Sequence, residues 1–235
     1  AIVCSEVECS VAAVFTKNAF KAASVVRNLE KLRAGRARAI VVNSGNANAC
    51  TGEKGLKDVD YICKFAGELL NVPPEQVFNA STGIIGVPLP MDKLEIGIMD
   101  AIAELVDNGG DAASLAILTT DTGPKTAGYE IEIGGVPVRI GAMCKGAGMI
   151  CPNMATMLCF ITADAVIDST TLQKCLSSSV ERSLNSLTVD GDMSTNDSVI
   201  ALANGKSGCP KVTEGTPDYE AFEKALAQVC MDLAR

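Results

Sequence analysis

The sequence contains no histidine. That absence removes Ser–His and Cys–His pairs, and histidine-ligated metals, from the chemistry open to this segment. A base here has to be a carboxylate, a lysine or a free α-amine. Tryptophan is absent too, and aromatic residues make up only 4%, so a stacking platform for single-stranded nucleic acid is not expected. Basic residues are outnumbered, 20 Lys and Arg against 28 Asp and Glu, for a net charge of −8. A nucleic-acid partner, which needs a basic face, is excluded on that ground. Long apolar runs are missing as well. The longest candidate, 154–167, is interrupted by Thr156, Thr162 and Asp164, so no membrane span is expected. The start has no initiator Met and no basic leader, and Arg235 falls on a helical stripe without a capping signal. The expectation is a segment incomplete at both ends.

What is present is an ordinary globular balance: 235 residues, 48% hydrophobic and 20% charged. That length suits one main domain with a real core. Ten cysteines are present, but none forms a C-x-x-C pair. Cys63 and Cys175 sit on helical stripes and Cys159 lies in a strand-like run, so reduced, buried thiols in a cytosol-like compartment are expected.

Helical and strand-like patterns alternate along the chain. Helices are predicted over 22–33, 56–70, 91–106 and 172–187, the last capped by Asp168 or Ser169. A final helix opens at Thr216-Pro217. Strands are predicted over 39–43, 77–80 and 157–163. The period-2 run 129–133 turns at Gly134-Gly135 into 136–140, a hairpin in which Pro137 suggests an edge. The class is mixed α/β.

Three polar, glycine-containing segments interrupt the apolar pattern at strand ends: 43–48 (NSGNAN), 81–83 (STG) and 145–156 (KGAGMICPNMAT). Each alone is most simply a turn. The third delivers a small residue, Ala155, and then Thr156 at the start of a strand. A mid-chain threonine is a poor nucleophile, but a cut before it gives Thr156 its own α-amine as base. An α-amine is about 10% neutral at pH 7 against about 0.04% for an ordinary lysine. The amine therefore outcompetes Lys145, and catalysis needs no histidine.

Lys145 is a candidate cation for a substrate carboxylate, although an isolated lysine is ordinarily a solvated surface residue. Thr82 and Gly83 offer a hydroxyl and a backbone N–H to a developing oxyanion, with a plain strand-to-loop turn as the alternative. Three further segments imitate known sites and fail. The run 205–207 lacks the glycine that opens a phosphate loop, and 146–148 lacks the context of a dinucleotide fingerprint. The run 190–197 has Thr195 and Ala201 where a calcium loop needs Gly and Glu. It reads as an Asp/Asn-rich turn leading into a helix.

The run KGAGMICPNMATMLCFITADA (145–165) resembles the processing motif of the ornithine acetyltransferases, or glutamate N-acetyltransferases, of arginine biosynthesis. VAAVFTKN (11–18), VVNSGNANACTG (41–52), STGIIGVPLP (81–90), TTDTGPK (119–125) and DGDMSTNDS (190–198) resemble the same family in the same order. The resemblance implies a four-layered α-β-β-α fold, shared with certain self-processing aminopeptidases. It implies self-cleavage between Ala155 and Thr156, giving an α chain (1–155) and a β chain beginning at Thr156, assembled as paired α/β heterodimers. Thr156 then carries acetyl from N-acetylornithine to glutamate in ping-pong fashion. Thr82 and Gly83 match the oxyanion hole, while Thr122, Lys145 and Thr156 match substrate-contacting positions. No metal or cofactor is implied, though some members accept acetyl-CoA as donor. The setting implied is cytoplasmic, or the mitochondrial matrix or plastid in a eukaryote. Members also continue past Arg235 to a substrate-contacting Glu, an Asn and a hydroxyl residue, a C-terminal domain absent from this chain.

Two other readings compete. One is an N-terminal-nucleophile amidohydrolase or aminopeptidase of the same fold, which would pass the acyl group to water. The other is a cation-binding module at 190–197 on an inert scaffold, disfavoured by the failed calcium template.

Overall fold

The computed structural model describes residues 1–146, 157–184 and 194–234. Among them, strands β1 (Ile2–Phe15), β2 (Arg36–Asn46), β3 (Val77–Ile84), β4 (Lys125–Ile133), β5 (Val136–Lys145), β6 (Leu158–Ala163) and β7 (Ser198–Ala203) form one sheet. Its order is β3-β2-β1-β7-β6-β5-β4. The pairs β2–β3 and β6–β7 are parallel, and the remaining neighbours are antiparallel. Helices α1 (Ala23–Lys31), α2 (Gly52–Leu70), α3 (Met91–Ala103), α4 (Gly110–Ala116), α5 (Ser169–Glu181) and α6 (Pro217–Leu233) complete the mixed α/β class.

The middle of the sheet is apolar on both faces. On β1, Ala12 belongs to the core beneath α5 and α6, while Val11, Ala13 and Phe15 belong to a second core on the other pleat. On β7, Val199, Ala201 and Ala203 join the first core and Ile200 and Leu202 the second. A third cluster packs Val59, Ile62, Cys63 and Ala66 of α2 and Ile98 of α3 on Ala39, Val41 and Val77. Burial on both faces, along β7 and the second half of β1, explains why these stretches leave no alternating signature for a sequence reading to find. It also overturns the expectation that 190–197 leads into a helix: the run SVIALA after Asp197 is the fully buried strand β7.

The local signals behave as their chemistry requires. Asp168 caps α5 by accepting from the Thr171 N–H at 2.9 Å, and Thr216 caps α6 by accepting from Tyr219 N–H at 3.2 Å. The α2 helix stops at Asn71, whose φ of 54° is left-handed, just before Pro73 and Pro74. Gly134 and Gly135 both have positive φ, 56° and 80°, the primed turn that a two-residue hairpin favours. Pro137 is corrected in one respect. Its strand β5 is flanked on both sides, but the β6 ladder reaches only Ile140, so Pro137 borders β4 alone. The helix predicted over 91–106 ends at Ala103, and Gly110 begins a short second helix instead of following a stop.

Among the described residues the cysteines are free thiols, and Cys9, Cys63, Cys144, Cys159, Cys175, Cys209 and Cys230 are buried. No helix among them is long and apolar enough to cross a membrane.

Candidate active site

The site is built at the carboxyl ends of the parallel pair β2–β3. The register sets Asn43 beside Ser81, Ser44 beside Thr82 and Gly45 beside Gly83. Two of the three polar segments are therefore one structural feature. Gly83 has a φ of 133°, and a Cβ placed on it would lie 2.3 Å from the Gly45 carbonyl carbon, so only glycine fits. Ser81 Oγ donates to Asn43 Oδ1 at 2.7 Å. Asn196 Nδ2 ties the assembly together, donating to the Ala47 carbonyl at 2.6 Å and the Ser81 carbonyl at 2.7 Å.

Lys145 ends β5 and reaches this feature from across the sheet. It is not a surface lysine, as its isolated position in sequence suggests, because it is only 2% exposed. Its Nζ donates to Thr82 Oγ1 at 3.2 Å and to Thr119 Oγ1 at 2.9 Å. Burial lowers its pKa, opposed chiefly by the charge of Asp121 and also by that of Asp197. The geometry has a chemical consequence. Thr82 accepts from Lys145, so the threonine's own proton stays available to donate elsewhere, polarised by an adjacent cation.

The loop after α4 contributes the third wall. Asp121 Oδ1 accepts from the Gly146 N–H at 2.6 Å, and Lys125 Nζ donates to the Gly146 carbonyl at 2.6 Å. Thr122 is exposed on this loop beside Asp121. Lys145 pairs with Leu158 in the β5–β6 ladder, so the 146–157 connection opens directly from the lysine. Ala155 and Thr156 lie outside the described residues.

On the far side of that connection, Asp197 is fully buried. Its Oδ1 accepts from Met157 N–H at 3.0 Å, and its carbonyl accepts from Thr16 N–H at 3.0 Å. Thr16 Oγ1 in turn donates to the Ser194 carbonyl at 2.7 Å. Burial pushes the Asp197 carboxyl up to about 8. Its Oδ2 has no hydrogen-bond partner among the described residues.

Thr82, Gly83 and Lys145 are thus brought together, with Thr122 at the rim. Motif reasoning did not single out Thr119, Asp121, Asn196 or Asp197. Asn196 and Asp197 lie in the run dismissed as a failed calcium loop. The signal that could have found Asp197 is an acidic residue set directly against six apolar or small residues.

The family model described as the ArgJ family matches residues 1–235. The chain belongs to the ArgJ family. An ArgJ relative, the arginine biosynthesis bifunctional protein ArgJ of Symbiobacterium thermophilum, is 51% identical over 235 residues, covering 100% of this chain and 58% of the relative. The chain therefore spans little more than half the length of that ArgJ protein. The crystal structure of the ornithine acetyltransferase of Mycobacterium tuberculosis complexed with ornithine is 35% identical, with a TM-score of 0.57 over 64% of this chain and 81% of that one. The fold extends further than the ArgJ family. The L-aminopeptidase D-Ala-esterase/amidase of Ochrobactrum anthropi, reported as a variant of the Ntn hydrolase fold, has a TM-score of 0.51 over 97% of this chain and 74% of that one at 12% identity. The mixed α/β class expected from the alternating helical and strand-like patterns is the one observed.

Proposed function

We propose that this chain carries the central machinery of an acetyltransferase that moves acetyl from N-acetylornithine to glutamate, with Thr156 as nucleophile after scission of the Ala155–Thr156 bond. In this reading the α-amine of Thr156 takes the proton of its own hydroxyl as Oγ attacks the acetyl carbonyl. Ornithine leaves with a proton, and the acetyl-threonine is then attacked by the amine of glutamate. Thr82 Oγ1–H and Gly83 N–H donate to the oxyanion of each tetrahedral intermediate, a contribution of about 3 kcal/mol per well-aimed donor. Lys145 supplies the fixed positive charge toward the substrate carboxylate, and Thr122 contacts substrate at the rim. No metal or cofactor takes part. The two cleavage products stay together as an α/β heterodimer, two of which pair, and the setting is cytoplasmic.

The observation that carries this reading is the Lys145–Thr82 hydrogen bond at 3.2 Å. It joins the head of the 146–157 connection to the pair of residues suited to an oxyanion. Support also comes from the relatives' names, which include an arginine biosynthesis bifunctional protein and an ornithine acetyltransferase.

Intact-mass analysis of the whole polypeptide tests the first step. A break after Ala155 is expected, with an uncut chain for Thr156→Ala; an active protein that stays uncut would refute the mechanism. Release of ornithine from N-acetylornithine with and without glutamate tests the second step. Acetate formed at full rate without glutamate would favour an amidohydrolase instead.

A further inference from the structure

Asp197 is a fully buried carboxyl group that the acetyl-transfer steps above do not use. Its place in the fold is specific. The residue closes the loop entering β7, its carbonyl is held by the Thr16 N–H at the end of β1, and its Oδ1 receives the Met157 N–H at 3.0 Å. Met157 is the residue covalently joined to Thr156. Three bonds separate the Thr156 nitrogen from the Met157 nitrogen, a span of no more than about 4 Å. Whatever path the preceding residues take, Asp197 grips the chain one residue past the bond to be cut.

We propose that Asp197 is a positioning residue for scission of the Ala155–Thr156 bond, its side-chain oxygen fixing the amide that follows Thr156. The inference rests on the self-cleavage reading above. In that step Thr156 Oγ attacks the Ala155 carbonyl carbon, and the hydroxyl proton passes to the departing nitrogen as the peptide C–N bond breaks. Water then hydrolyses the ester, its oxygen bonding to the Ala155 carbon and the Thr156 hydroxyl regaining a proton. Negative charge develops on the Ala155 carbonyl oxygen during each attack. A carboxylate in the same buried region would oppose that charge.

Burial pushes Asp197 up to about 8, so the group is neutral at pH 7 and grips Met157 without adding an anion. The charged group facing it is Lys145 from β5, which has Asp121 and Lys125 beside it. From β1 and from the head of β6, the groups that meet Asp197 are the backbone amides of Thr16 and Met157. Ser194 Oγ approaches from its own loop.

An asparagine reproduces a neutral aspartic acid here, with one carbonyl oxygen to accept from Met157 and no charge to gain. The test compares scission rates by intact mass across pH 6 to 9 for whole polypeptides. Wild type is expected to cut more slowly above about pH 8, where Asp197 ionises. Asp197→Asn is expected to cut within about threefold of wild type at pH 7 and to lose that alkaline decline. Asp197→Ala, without the acceptor, is expected to cut at least tenfold more slowly. Equal rates for Asp197→Ala and wild type, or an Asp197→Asn protein that retains the alkaline decline, would overturn the proposal. Should Asp197→Ala fail to fold, the pH profile of Asp197→Asn decides alone. A wild type that never breaks after Ala155 defeats the self-cleavage reading itself, a different result from variants indifferent to residue 197.

Discussion

Gly83 lies against Gly45 across the parallel β2–β3 pair so closely that a Cβ on Gly83 would stand 2.3 Å from the Gly45 carbonyl carbon and 2.5 Å from Asn46 N. Backbone on both sides leaves no flexible group to give way, and the φ of 133° is itself unfavourable for any L side chain. Gly83→Ala is expected to lose at least about 2 kcal/mol of stability. Urea unfolding measures it, and Gly86→Ala, with open space around its Cβ position, is the control for a positive φ alone.

Lys145 separates a role in stability from a role in chemistry. Its buried ammonium is disfavoured by desolvation, so Lys145→Met removes a cost while leaving Thr82 and Thr119 without their donor. Those effects offset, and the midpoint of unfolding should move by less than about 1 kcal/mol. Acetyl transfer should nevertheless fall by about 100-fold. Equal activity for Lys145→Met and wild type in a steady-state assay would remove the lysine from the mechanism.

Asp197 makes stability depend on pH in an uncommon direction. Burial holds its carboxyl at about 8 in the folded protein, against the ordinary aspartate value of 3.8. Between those two values the folded protein binds more protons than the unfolded chain, so stability falls as pH rises. The full difference is on the order of 5 kcal/mol. Urea unfolding from pH 4 to pH 8 should show this decline, and Asp197→Asn should flatten it.

The thiols should divide by exposure. Burial pushes Cys175 up to about 11 and Cys230 up to about 12, while Cys50 is exposed. Alkylation of the folded protein at pH 8 should label Cys50 within minutes and leave Cys175 and Cys230 unmodified until urea is added. Peptide mapping reads the order of labelling.

Elements with their own periodicity or caps were legible in the sequence. The α2 stripe, the Asp168 and Thr216 caps and the Gly134-Gly135 hairpin each depend on contacts only a few residues away, and each was found. Strands β1 and β7 were not, because an interior strand covered on both faces carries no alternation, and its partners lie far along the chain. The same limit governed the site. Thr82, Gly83 and Lys145 stood out through their motifs. Lys145 meets Thr119 from 26 residues away, and Asp197 meets Met157 across 40 residues. Side chains of this kind acquire meaning only when the sheet assembles.

The strand order has a mechanical consequence for any break between Ala155 and Thr156. Strands β6 and β7 follow that bond in sequence, yet they are threaded between β1 and β5, which precede it. Separating the two pieces would mean unzipping both the β1–β7 and the β5–β6 ladders and baring the core beneath α5 and α6. Hydrolysis of the backbone there would sever the polymer while leaving the particle whole, its halves parting in denaturant but migrating as one under native conditions.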